Sequence, residues 1–235
     1  MSSTADRQTL SADRDSLLSV VIPLGPGDQA NLLAGQLKRH PCVGEVILST
    51  TAPAPHNHSH CTRWISGSAG RGAQLNRGAA NANGPWLWFI HADSQLSDAA
   101  IRAVGEFTTR ADAAIGYCRL RFIDDGPWLV RLNACGANLR SRLFRQPYGD
   151  QGLCMPANVF NRLGGFREDL ERGEDLDFIF RAHLAGIPIR CTGATILTSA
   201  RRYREHGWLR TTWRHQIAAA RLIRNARRAA RSDRP

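Results

Sequence analysis

Asp93 closes an apolar run, Pro85-Trp86-Leu87-Trp88-Phe89-Ile90-His91-Ala92-Asp93, and Glu174-Asp175 opens an amphipathic segment far downstream. The run has the character of a buried strand, and a carboxylate delivered by its C-terminal end lies where open α/β sheets bind ligands. Asp93 is therefore placed to hold a metal ion or a phosphate-bearing substrate. A carboxylate can serve as a general base, best when burial or a nearby charge raises its pKa toward neutrality. Plainer readings stand beside these. Asp93 can simply cap the strand or the next turn, and Glu174, Asp175 and Asp177 suit the first turn of any helix because they complement its dipole.

A second set of candidates lies in Gly70-Arg71-Gly72-Ala73-Gln74-Leu75-Asn76-Arg77-Gly78-Ala79-Ala80. Small residues let such a helix approach a sheet or a ligand closely, which makes Arg71, Gln74 and Asn76 candidates for substrate contact. The planar, permanently charged guanidinium of Arg71 suits a nucleobase or phosphate, although a surface arginine on an alanine helix is the bland alternative. His56, His58, His60 and Cys61 alternate in a proline-rich loop. They offer nitrogen and sulfur ligands to a transition metal, but such a loop gives no preformed geometry, and no site is assigned to them.

These residues need elements to position them. Leu17 to Leu24 reads as a buried strand ending at Gly25-Pro26-Gly27, Asp28 as the cap of a helix through Arg39 with Leu32, Leu33 and Leu37 at helical spacing, and Glu45 to Leu48 as a second strand. After a polar loop come Trp64-Ile65, the Gly70 to Ala80 helix and the Trp86 to Ile90 strand. Ser97-Asp98 caps a helix to about Thr108, Ala113 to Phe122 is a strand, and Trp128 to Phe144 is an arginine-bearing helical segment. Pro147 to Leu153, a short helix near Ala157 to Leu163, the Gly164-Gly165-Phe166 turn and a helix from Glu174 to Leu184 ended by Gly186 follow. Strands alternating with helices give an α/β class with a mostly parallel, Rossmann-type sheet, the later part supplying a second lobe to a cleft.

With 235 residues, 43% hydrophobic, the chain can bury a full core as one domain. We expect a disordered N-terminus over 1–16, a folded domain over 17–217 and a basic tail over 218–235. The charge is lopsided. Residues 201 to 235 carry eleven arginines against Glu205 and Asp233, a net +9 of the chain's +11, so the rest holds only +2. Trp208, Leu209, Trp213 and Ile217 alternate with arginines there, which suits a helix on an anionic membrane or, alternatively, one packed on the sheet. Six scattered cysteines without a C-x-x-C pair suit isolated thiols in a reducing compartment. No run approaches the 18 or so apolar residues of a membrane span, and residues 1–16 lack a signal peptide's apolar core. The expected location is cytoplasmic, with the inner membrane face as an extension of that reading.

The ordered set SVVIPL, GRGAQLNRGAA, WLWFIHADSQL, PYGDQGL, LGGF and GEDLDFIFR resembles the inverting family 2 glycosyltransferases of GT-A fold. It is especially similar to the small bacterial branch of radical-SAM or selenodomain-associated transferases, some assigned to arsenosugar biosynthesis. The resemblance implies that Asp93 occupies the last position of a D-x-D element, with His91 at the first, and binds Mg²⁺ or Mn²⁺ bridging a donor diphosphate. It implies Asp175 as the base, Glu174 as its support, and Pro23, Arg71, Gln74, Asn76 and Asp93 as the donor-binding residues. Tyr148, Asp150 and Gln151 fall near the acceptor or the diphosphate. The implied partners are a nucleoside diphosphate-sugar and a small or lipid-linked acceptor, with nucleic acid unlikely as a ligand.

Two departures bear on the nucleotide. The first strand ends in Gly25-Pro26-Gly27-Asp28 rather than an Asn-Glu loop, and the loop after the second, Ser49 to Pro55, has no carboxylate. A degenerate protein of this fold is therefore an alternative, and an anionic lipid or nucleic-acid binder acting through its arginine tail is another. The processive Q-x-x-R-W motif is absent, which favours transfer of a single sugar, although Arg201, Arg202 and Arg204 remain phosphate contacts in principle.

Overall fold

Strands buried on both faces need near-continuous apolar sequence, and the first part of this chain supplies it. In the computed structural model, residues 18–53, 62–125, 127 and 129–200 are described. In chain order the elements are β1 (Leu18–Leu24), α1 (Asn31–Leu37), β2 (Val43–Thr50), β3 (Arg63–Ser66), α2 (Arg71–Ala80), β4 (Trp86–Phe89) and β5 (Gln95–Leu96), then α3 (Asp98–Arg110), β6 (Ile115–Phe122) and α4 (Val130–Phe144). After a 3₁₀ turn at Gly149–Gln151 come β7 (Leu153–Pro156), α5 (Ala157–Arg162), α6 (Glu174–Leu184) and β8 (Ile189–Thr198).

The strands form one eight-stranded sheet in the order β3-β2-β1-β4-β7-β6-β8-β5. The β3-β2-β1-β4 half is parallel, β7 runs antiparallel between β4 and β6, and β8 is parallel to β6. The sheet is thus mixed, and the later part of the chain extends it instead of forming a second lobe. Alternation along β4 explains the layering: Trp86 and Trp88 join a core with α1 and α3, whereas Leu87 and Phe89 join one with α2, α5 and α6. On the latter side Phe89, Phe160, Phe166 and Phe178 form a cluster with centroid separations of 4.9 to 5.6 Å.

Several local expectations meet corrections. Asp28 does not cap α1; its Oδ2 accepts from Gly25 N at 2.8 Å and closes the turn after β1. Helix α1 is shorter than Asp28 to Arg39, and of its leucines Leu33 and Leu37 are buried while Leu32 faces solvent. Ser97 does cap α3, accepting from Ala100 N at 3.1 Å. The 1–16 and 218–235 segments, the 54–61 histidine loop and the Trp208 to Ile217 region lie outside the described residues. No helix among those described is long and apolar enough to cross a membrane.

Glycine in α2 is required by packing. A Cβ on Gly78 would collide with Val21 Cγ1 of β1, whereas one on Gly136 in α4 would meet nothing within 4 Å. Gly78→Ala is expected to cost about 1–3 kcal/mol through overpacking, and Gly136→Ala to be neutral or to stabilise by up to about 1 kcal/mol. Urea unfolding of both variants checks this; equal effects would contradict the close approach of α2 to β1.

Candidate active site

Three chain segments meet where β4 ends. Arg71 is the first residue of α2, entered through Gly70 at φ 117°. Its Nε donates to Glu174 Oε1 at 2.7 Å, and its Nη2 donates to His91 Nε2. A guanidinium can only donate, so His91 Nε2 accepts and the ring proton sits on Nδ1. Glu174 and Asp175 open α6 after Gly173, which adopts the left-handed conformation. Glu174 is buried, and burial first, then the neighbouring Asp175, raises its pKa, with Arg71 opposing.

Asp175 is oriented by backbone. Gly149 N donates to Oδ2 and Leu176 N to Oδ1, the latter at 2.8 Å. Each carboxylate oxygen keeps a further lone pair for a proton. The rim of the resulting cleft is Arg71, His91, Gly149, Glu174 and Asp175, and its floor is Leu75, Phe89, Ile90, Leu153 and Phe166. A charged rim over an apolar floor can orient a polar ligand while excluding water beneath it.

The loop before β7 adds a third acid. Asp150 Oδ1 is buried without a hydrogen-bond partner, and burial, reinforced by Asp175, pushes the carboxyl up to about 6. Arg140 and Arg71 act the other way. Arg140 stacks over the Tyr148 ring with 3.5 Å to its centroid and donates from Nε to Gln146 O at 2.9 Å. Burial also raises the Tyr148 phenol. Gln151 fixes the loop, accepting from Ser141 Oγ at 2.7 Å and donating to Cys118 O at 3.2 Å.

The remaining sequence candidates are dispersed. Asp93 is exposed in the turn after β4 and does not line the cleft. Pro23 is buried in β1, paired in register with Ser49. Gln74 is buried and donates to Leu24 O at 2.7 Å and Ser49 O at 2.9 Å, tying α2 to the ends of β1 and β2. Asn76 exchanges bonds with Phe166 backbone, 2.8 Å each way, and so holds the Gly164-Gly165-Phe166 turn.

Sequence reading overlooked Arg77, Arg140 and Arg181. Arg77 donates to Thr50 O at 3.0 Å and Ser68 O at 3.2 Å. Arg181 pairs with Asp177 at 2.8 Å and donates to Leu163 O and to Gly165 O, the last at 2.7 Å. The Asp177–Arg181 pair at i,i+4 was the available signal for one of them; backbone contacts of the other two have no sequence signature.

Among the described residues no three His, Cys, Asp or Glu side chains cluster as metal ligands. The donor set still suits Mg²⁺ or Mn²⁺ of the kind held by one carboxylate, with substrate phosphates and water completing the shell, because the exposed Asp93 has room for both. A closed, all-protein metal cage does not fit these residues.

Residues 57–169 match the family model described as Glycosyl transferase family 2, just under half of the chain. The match includes Arg71, Asp93 and Asp150 and stops short of Glu174-Asp175. No curated protein matches the chain. Among solved structures, S. aureus TarS 1-349 is similar at 13% identity and a TM-score of 0.57, covering 78% of this chain. The chain spans 60% of that structure's length, and the likeness concerns the fold, which is GT-A-like. The family 2 match is thus confined to residues 57–169, and the structural likeness to the fold.

Asp150 offers a test through pH. Its folded pKa lies above that of a free carboxyl, so its ionisation opposes folding. The penalty sets in as pH rises past about 4 and is complete above about 6. Asp150→Asn cannot ionise and is expected to be more stable than wild type, by a margin that grows from about pH 4 to about pH 7 and then levels. Thermal unfolding across that range checks it; a margin independent of pH would contradict the buried charge.

Proposed function

We propose that this chain moves one sugar from a nucleoside diphosphate-sugar to a small or lipid-linked acceptor, with inversion at the anomeric carbon. The observation that carries the reading is the oriented Asp175 carboxylate in a cleft that the bonded Arg71 and His91 side chains also line. The family 2 match over 57–169 supports the reaction class.

Asp175 takes the acceptor hydroxyl proton as that oxygen attacks the anomeric carbon. The bond from that carbon to the diphosphate breaks, and the diphosphate leaves with the electron pair. Positioning the attack in line with departure is where a fixed carboxylate contributes most. Glu174 supports this by holding Arg71, whose guanidinium edge lies 3.6 Å from the ideal Cβ position at Gly149 and so faces the loop beside Asp175. Arg71 offers positive charge to the departing diphosphate. The exposed Asp93 carboxylate would be the residue to hold a divalent ion, which would supply further positive charge for a departing diphosphate.

Gln74, Asn76 and Pro23 serve the donor by holding the strand ends and turns around it, since their polar or backbone groups are engaged or buried in those contacts. The ordered motifs favour the radical-SAM or selenodomain-associated branch, and the missing Q-x-x-R-W motif favours transfer of a single sugar.

A thermal-shift panel of nucleoside diphosphates and nucleotide sugars, with and without Mn²⁺, tests the donor site without knowledge of the acceptor. One nucleotide is expected to stabilise the protein in a metal-dependent way, by about 2.7 kcal/mol at a hundredfold excess over Kd, and Asp93→Ala is expected to abolish this. A panel with no stabilising nucleotide would sink the reading in favour of a degenerate protein of this fold.

A further inference from the structure

Helix α4 packs on the sheet through Val130, Ala134, Ala137 and Ser141, and Asn138 pins it by bonding both Leu120 N and Leu120 O at 2.8 and 2.9 Å. At 3.6 residues per turn, positions 132, 136, 139 and 143 fall on the side opposite that face. They are not polar, as a solvated face would be. Leu132, Leu139 and Leu143 are 54%, 56% and 62% exposed, and Phe144 at the helix end is 64% exposed. Leu184 of α6 is likewise exposed, and the adjoining His183 bonds Arg145 O at 2.9 Å, which brings the two helix ends together.

The charges on the helix itself have one sign. Helix α4 has no acidic residue and carries Arg131, Arg140 and Arg142, with Arg145 following. Arg140 is turned onto Tyr148, while Arg131, Arg142 and Arg145 are exposed. Arg131 pairs with Asp124 at 3.1 Å, and among the described residues no ion pair is seen for Arg142 or Arg145. The chain continues beyond Ala200, whose N–H is held by Asp125 at 2.7 Å just ahead of α4, into a segment of net +9.

We propose that the outer face of α4 docks on an anionic phospholipid bilayer, its leucines and Phe144 entering the headgroup boundary and its arginines meeting lipid phosphate. Charge complementarity selects this occupant. A second copy of α4, or this chain's own basic C-terminal segment, would set arginine against arginine. Apolar insertion and attraction to acidic headgroups reinforce one another on a lipid surface. The docking stands whether or not the transferase reading does. Where that reading holds, it brings the loop from Phe144 to Gly149, one lip of the cleft, to the bilayer and makes the acceptor a lipid-linked one.

The test is sedimentation of the full chain with phosphatidylcholine vesicles and with vesicles containing phosphatidylglycerol, at about 0.1 M salt. Wild type is expected to partition onto the anionic vesicles only. The triple variant Leu139→Ser, Leu143→Ser, Phe144→Ser, at exposed positions and checked for an unchanged melting temperature, is expected to lose about tenfold or more of that partitioning. An environment-sensitive dye on Cys135, with Cys61→Ser and Cys191→Ser to remove competing thiols, is expected to shift to the blue on those vesicles. Undiminished binding by the triple variant with a silent dye would overturn the proposal and leave the C-terminal segment as the anchor. Failure of wild type to bind, or a dimer that the leucine substitutions dissociate, would overturn it as well.

Discussion

A buried carboxylate needs a counter-charge, and Glu174 has one, Arg71. Burying the carboxylate is costly, so the pair adds little net stability, yet removing Arg71 would strand the buried Glu174, whereas Arg71 without Glu174 keeps part of its side chain in water. The pair therefore acts as a constraint more than as a source of stability. It fixes the first turn of α6 against the first turn of α2, and through His91 it fixes both to the end of β4. Asp175, the next residue along, inherits its position from that join. Its own bonds to Gly149 N and Leu176 N complete the orientation.

The segments around the cleft are irregular, and irregular backbone has to be satisfied by something other than a ladder. Here side chains on the regular elements supply the bonds. Gln74 and Arg77 on α2 hold the ends of β1 and β2, Asn76 and Arg181 grip the Gly164-Gly165-Phe166 turn from two sides, and Gln151 anchors the loop before β7. Beneath them the four-phenylalanine cluster gives a stiff apolar floor. A site built this way tolerates little movement, which suits a reaction that depends on alignment.

Much of this was legible in the sequence, and the failures have physical reasons. Strands β1, β2 and β4, helix α3 with its Ser97 cap, and the start and stop of α6 follow from apolar runs, cap chemistry and glycine placement. The antiparallel β7 did not, because four residues between a loop and a short helix carry no signal of direction. Asp28 misled because one acid can cap a helix or close a turn, and the nearer Gly25 N–H won. Arg71, Glu174 and Asp175 were expected to share a site and do. Gln74 and Asn76, expected at the donor, are bonded to backbone here, and a sequence cannot distinguish an amide that reaches a ligand from one that reaches a carbonyl. Arg140 and Asp150 became visible only once α4 and the following loop were brought against the cleft.

The most direct test of the account is the turnover of the stabilising nucleotide sugar, read as transfer to water if no acceptor is known, by wild type and by Asp175→Asn. The substitution keeps size and one accepting oxygen but cannot take the proton. The account predicts a fall in kcat of about a hundredfold or more with nucleotide affinity retained, alongside a modest loss of stability because one of the two backbone N–H groups loses its acceptor. Turnover that survives in Asp175→Asn would contradict it, because the carboxylate that the Arg71–Glu174 join positions would then not be the base.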